Sequence, residues 1–296
     1  MNIPKVINKL SRYSVRLLHF ALLVTIMGWS EVLAQNEADA PISSETFSHA
    51  LLDTVLGTYV NTFGLVDYPA LREKPEFLEK YNDLMSAYSP DSHPQLFPSN
   101  NSQLAYWINA YNAAVLRTVI DHYPISGVGD VAPLGLTIIL PDRSGFFYFQ
   151  KLIFGGQSIN LYNLEHQVIR KRFSDPRMHF ALNCASIGCP RLPIRAFSGE
   201  NLSAELDRET RKFINEPRNF FVDHEAQVLH LSSIFVWYKS DFTNWYSNTF
   251  SEESPSLLNY LRLYLAPNLL KTAAQADNYE IRAIKYDWSL NDQASQ

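Results

Sequence analysis

The stretch Gln103–His122, QLAYWINAYNAAVLRTVIDH, is apolar on nearly every face a helix could present, and it stops at Tyr123-Pro124. A helix without a polar stripe has to be surrounded by protein, so this segment predicts a central, buried helix on which the other elements pack. Its polar exceptions, Asn109 and Asn112, are three residues apart and share a face. Buried amides need hydrogen-bond partners, so this pair either ties neighbouring backbone together or lines a site. At the end of the segment, His122 stands where a histidine caps the last carbonyls.

The remaining pattern is helices first and strands later. Apolar residues at Leu51, Leu52, Val55, Leu56 and Tyr59 follow helical spacing as far as Gly64, and a second helix is expected from about Pro75 to Tyr88. A loop rich in Ser, Pro and Asn fills 89–102. Strand-like pieces at 146–154 and 158–161 flank Gly155-Gly156, a hairpin signature. Asn163 is a candidate N-cap for a helix over 164–173, and 178–183 reads as a buried strand running into the turn Cys184–Pro190. A charged amphipathic helix over 201–215, a hairpin of 220–222 with 228–231, short helices near 235–242 and 255–265, and a last strand over 279–286 complete the pattern. Without βαβ alternation the expected class is α+β, with helices packed on an antiparallel sheet in a single domain over 47–296.

Ahead of that domain, Lys5, Lys9, Arg12 and Arg16 precede an apolar run from Leu17 to Trp29, and Val32-Leu33-Ala34 follows. This is the layout of a signal peptide over 1–34, cleaved after Ala34 and followed by a polar linker over 35–46. The run is short for a bilayer span, which takes about 20 residues, so no stable membrane insertion is expected after cleavage. The 296 residues carry a net charge of −5, which offers no basic field to phosphate backbones and excludes nucleic acid as an expected partner. A secreted or periplasmic location exposes the chain to oxidising conditions, and it has two cysteines, Cys184 and Cys189. One pair cannot replace a hydrophobic core in a domain of this size, but it can close a local turn.

Chemistry concentrates in the same stretch. Glu165, His179 and Cys184 supply the residue types of a thiol nucleophile, the imidazole that moves its proton and the carboxylate that orients the imidazole. Strand parity would point His179 and Cys184 to opposite faces, so they meet only if the chain turns at Asn183 or Cys184. The competing expectation is a Cys184–Cys189 disulfide closing the turn, which leaves no nucleophile. A metal held by His166, His179, Cys184 and Cys189 has less support, because the spacing lacks CxxC or HxxxH, and no metal is expected. Ser186 is not in a Gly-x-Ser-x-Gly elbow, and no phosphate loop or Gly-x-Gly-x-x-Gly is present, so no cofactor is expected. His224 and His230 read as solvated hairpin residues. The Trp237–Tyr246 stretch reads as core or as a stacking surface for a ligand such as a sugar.

At Tyr106–Asn112, at Leu164-Glu165-His166 through Arg170, at His179–Cys184 with Cys189-Pro190, and at Tyr286–Asn291, the chain resembles the domain-of-unknown-function family 547. This family is widespread in secreted bacterial proteins and occurs in plants. The resemblance runs from about Tyr68 to Asn291 and implies a papain- or transglutaminase-like α+β core. The resulting expectation is a cysteine-dependent hydrolase or acyltransferase acting on peptide or amide bonds outside the cytoplasm. Cys184, His179 and Glu165 would be catalytic, and Asn109, Asn112 and Trp107 would contact a peptide or small amide-containing ligand. The alternative is a non-catalytic secreted or periplasmic binding domain locked by the disulfide.

Overall fold

The computed structural model describes residues 46–131 and 143–295; the expected signal peptide and residues 35–45 of the linker lie outside them, as does part of the Gly127–Gly135 segment. Thr46–Gln296 form one compact unit. Four helices come first: α1 (Ala50–Tyr59), α2 (Tyr68–Glu73), α3 (Glu76–Ala87) and α4 (Asn100–His122). Helix α4 is the apolar segment, and it begins at a Ser99–Ser102 capping box that satisfies its free N–H groups. It ends at the extended Tyr123, as the residue before a proline prefers, and His122 Nδ1 returns to the Thr118 carbonyl at 2.8 Å. From Leu104 to Leu116 every residue is buried. Burial of each large apolar side chain contributes about 1.5–3 kcal/mol, which makes α4 the main hydrophobic element of the domain.

A short helix α5 (Ser144–Phe147) precedes the hairpin β1 (Leu152–Phe154) and β2 (Gln157–Ile159). The connecting Gly155 and Gly156 have φ of +55° and +81°, the left-handed pair that the two-residue turn requires. The next helix, α6, covers 161–172: α turns at Leu161–Asn163 and Arg170–Arg172 enclose a π-helical stretch, Leu164–Ile169. Its cap is Asn160, whose side chain accepts from the Asn163 N–H, rather than Asn163 itself. The expected buried strand at 178–183 is instead a 3₁₀ turn, Pro176–Phe180, capped by Asp175 and running directly into the cysteine turn.

Helix α7 (Leu202–Ile214) is followed by β3 (Phe220–Asp223), β4 (Val228–Ser232), helices α8 (Ser233–Trp237), α9 (Lys239–Phe250), α10 (Leu257–Arg262) and α11 (Pro267–Ala273), and β5 (Glu280–Ile284). The domain is α+β and mostly helical. Its sheet corrects the antiparallel expectation: β4 pairs antiparallel with β3 and parallel with β5. The four helices between β4 and β5 form the long crossover that a parallel pair needs, and α11 was not legible in the sequence. A second core of Phe180, Phe213, Phe235, Phe242 and Tyr260 lies under this region.

Buried amides connect the two halves. Asn112 Nδ2 donates to the Ala181 carbonyl at 2.9 Å, and its Oδ1 accepts from the Asn183 N–H at 2.9 Å. Asn109 does the same with Phe197, donating to its carbonyl at 2.8 Å and accepting from its N–H at 2.9 Å. Both side chains are therefore structural. Asn112→Ala is expected to cost about 3 kcal/mol, since it strands a buried donor and a buried acceptor together; denaturant unfolding measures it, and a loss below about 1 kcal/mol would contradict this role.

Candidate functional site

The Cys184–Cys189 turn is built by its neighbours before its sulfurs are considered. Asn183 holds it from within: Oδ1 accepts from the Ala185 N–H at 2.9 Å and Nδ2 donates to the Pro190 carbonyl at 2.8 Å. Ala185 takes φ +59°, a left-handed conformation costing an L-residue roughly 1 kcal/mol, and it bends the chain just past Cys184; strand parity does not apply, because the preceding segment is a 3₁₀ turn rather than a strand. The C-terminal segment pins the turn from outside, with Ile187 N–H to Ser289 at 2.9 Å, Gly188 N–H to Asp287 at 2.8 Å and Asn291 N–H to Ala185 at 3.1 Å. Gly188 lies so close that an added Cβ would stand 3.0 Å from the Asp287 backbone. These contacts bring Tyr286 to the sulfurs.

The sulfurs are bonded to each other, Sγ–Sγ 2.01 Å, and neither cysteine is free. This corrects the assignment of Cys184 as a nucleophile in this state, because a disulfide sulfur carries no proton to give up. The pairing of Glu165 with His179 is corrected as well. His179 Nε2 lies 2.8 Å from Asp241 Oδ2, and its ring stacks on Tyr238 with centroids 4.0 Å apart. Glu165 instead accepts from the Tyr238 hydroxyl at 2.6 Å and, at a longer 3.5 Å, from the Tyr111 hydroxyl.

Asp241 is held on both sides. Arg170 donates to it through Nε at 2.9 Å and Nη2 at 3.0 Å, a bidentate pair, and the same guanidinium approaches His166 Nδ1 at 2.6 Å. Burial raises the Asp241 carboxyl, but the hydrogen bonds from His179 and Arg170 outweigh it and hold it well below the usual carboxylate range. Burial lowers His166, and the Arg170 charge acts in the same direction against Glu165. Burial also pushes the hydroxyls of Tyr238 and Tyr286 well above the ordinary tyrosine value, which keeps both as proton donors. His179 lines the cavity and turns its Nε2 to Asp241.

Glu165, His179, Cys184 and Cys189 line one cavity of about 320 Å³. The sequence therefore named residues that converge, although they are connected differently. One wall is the stack Tyr148–Tyr162–His166, with centroid separations of 4.3 and 4.1 Å. The other is Trp237, Tyr286 and Trp288, in mutual contact at 4.4–5.9 Å, with Arg143 over Trp288. Trp237 lines the cavity and is 51% exposed, while Phe242 belongs to the core. Asn109, Asn112 and Trp107 do not line it: the amides are spent on backbone, and Trp107 is buried against Tyr106 and Phe154. Asp241, Tyr238 and Tyr286 were missed as site residues. Among the described residues no group of three or more His, Cys, Asp or Glu is placed to hold a metal ion, and no helix is long and apolar enough to cross a membrane.

The family described as "Protein of unknown function, DUF547" matches residues 96–214, from just before α4 through α7. Residues 96–214 carry a DUF547 domain. The match takes in Glu165, His179 and both cysteines but stops before Tyr238 and Tyr286, which line the cavity, and Asp241, which holds His179. No curated protein and no solved structure matches the chain.

Because the folded pKa of Asp241 lies well below its unfolded value of 3.8, its contribution to stability is present in full above that value, starts to fall below it and is gone only below the folded pKa. Asp241→Asn is expected to destabilise the domain at pH 7, with the gap to wild type starting to narrow as pH falls below about 4. Urea unfolding across this range checks the sign, and a gap independent of pH would contradict it. Replacing Cys184 and Cys189 together by Ser is expected to cost about 2 kcal/mol, the loop entropy of so short a closure.

Proposed function

We propose that this domain is a secreted or periplasmic binding domain whose cavity takes an aromatic or apolar group of a peptide or small amide-containing ligand. The observation that carries this reading is how the polar groups are used. Asp241 is taken by His179 and Arg170, Glu165 by Tyr238 and Tyr111, and the two sulfurs by each other, while the walls presented to a ligand are aromatic rings. A largely apolar concavity with a few oriented polar groups suits recognition, with the His179 imidazole in its lining to meet an amide. The location is supported by the basic-then-apolar N-terminal pattern and by the disulfide.

A second reading retains the cysteine-dependent hydrolase or acyltransferase on a papain- or transglutaminase-like core. It is favoured by the shared cavity of Cys184 and His179 and by the Asp241 that orients the imidazole, and it requires the disulfide to be open.

N-acetylphenylalaninamide is the probe that separates the two. The oxidised protein is expected to bind it saturably, with a change in tryptophan fluorescence and no hydrolysis. Trp237→Ala should weaken binding about tenfold by removing a stacking wall, which corresponds to about 1.4 kcal/mol. Equal affinity of the variant, or no saturable binding, would overturn the binding reading. Turnover that appears only after reduction would favour the hydrolase.

A further inference from the structure

The two sulfurs of the disulfide are not equivalent. Cys184 is partly exposed at the cavity, whereas Cys189 is 2% exposed. Cys189 Sγ receives the Cys184 backbone N–H at 2.9 Å and the Tyr286 hydroxyl at 3.0 Å. Cys184 Sγ shares only that hydroxyl, at 3.0 Å; the Ser186 hydroxyl, 3.8 Å away, lies within reach of the Cys184 carbonyl. Arg218, ion-paired with Glu216, donates to the carbonyls of Ile187 and Cys189. Cys184 is therefore the more accessible of the two cavity-lining cysteines, and Cys189 Sγ receives a donor, the Cys184 N–H, that Cys184 Sγ lacks.

Thiol–disulfide exchange asks for this asymmetry. The attacked sulfur has to be accessible, and the departing one has to be stabilised as a thiolate. Hydrogen bonds to a neutral disulfide sulfur are weak and strengthen as negative charge develops, so the donors at Cys189 act mainly on the transition state and the product. The turn is also held without its S–S bond, by the Asn183 amide and by the backbone pairs with Asp287 and Ser289, so opening the bond leaves its frame in place.

We propose that Cys184–Cys189 is a thiol-exchange site for a thiol bearing an aromatic or apolar group, such as a cysteine within an apolar peptide segment. The substrate class rests on reading the cavity as a binding site. The ligand thiol loses its proton to solvent, and its thiolate attacks Cys184 Sγ. A ligand–Cys184 disulfide forms, the Cys184–Cys189 bond breaks, and its electron pair leaves on Cys189, next to the Tyr286 hydroxyl and the Cys184 N–H. A second thiolate of the same class then attacks the ligand sulfur and releases a ligand disulfide. Both cysteines are left reduced, two electrons having passed from the ligand thiols to the protein.

Oxidised protein in native buffer is treated with benzyl mercaptan or with 2-mercaptoethanol at equal thiolate concentration, trapped with iodoacetamide and mapped by peptide mass spectrometry. The expected result is a ligand adduct on Cys184 with alkylation on Cys189, forming about tenfold faster with benzyl mercaptan. Tyr286→Phe is expected to slow the adduct about tenfold, the effect of one hydrogen bond to a charged sulfur. No adduct under native conditions, an adduct on Cys189, or equal rates for the two thiols would overturn the proposal. N-acetylphenylalaninamide has no thiol and keeps the two readings apart: binding without exchange sinks this proposal alone, and exchange without binding sinks the cavity reading alone.

Discussion

The carboxamide of Asn112 is the contact on which the architecture of the site depends. It stands on the central helix, where both of its polar atoms are bound to the backbone on either side of Leu182. The chain it holds continues through Asn183, whose own amide shapes the cysteine turn. Two consecutive buried amides thus carry the position of α4, the most deeply buried helix, to the sulfurs at the cavity surface. A buried amide left half-satisfied would cost more than it contributes, so this linkage tolerates little displacement.

Around that fixed turn the cavity is assembled from segments distant in sequence. The π-helical stretch of α6 brings Glu165 and His166, the 3₁₀ turn brings His179, α8 brings Trp237, and the C-terminal segment brings Tyr286 and Trp288, while Asp241 on α9 holds His179 from behind. A π turn is uncommon and often marks a functional position. Here it accompanies the placement of Glu165 toward Tyr238 while Arg170, on the following turn, reaches Asp241. The charges offset one another within the wall, so the surface offered to a ligand is mainly aromatic. This division between a satisfied polar frame and an apolar face underlies the binding reading, and the donors at Cys189 extend it to exchange chemistry.

Much of the fold was legible because it rests on local rules. The apolar helix, its end at Tyr123-Pro124, the Gly155-Gly156 hairpin, the charged helix α7 and the β3–β4 hairpin all follow from periodicity and turn chemistry. The 178–183 segment misled, because its apolar run has the composition of a strand and nothing local reveals that Asn112 will hold it in a tight turn. The site was half legible. Glu165, His179 and Cys184 do share a cavity, but the carboxylate beside His179 is Asp241, 62 positions further on, in a helix whose sequence offered only its aromatic residues as a signal.

By itself, then, the sequence determined that a helix apolar on all sides must be enclosed, that its amides must be satisfied, and that two nearby cysteines can close a turn. These are consequences of solvation and short-range geometry, which each segment carries with it. Only the tertiary structure decided that Asn109 and Asn112 bind backbone, that β5 joins β4 in parallel, that Asp241 takes the imidazole and that Tyr286 meets the sulfurs. Those choices depend on which distant groups reach one another once the core is packed, and side chains of the same type compete for them without any mark in the local sequence.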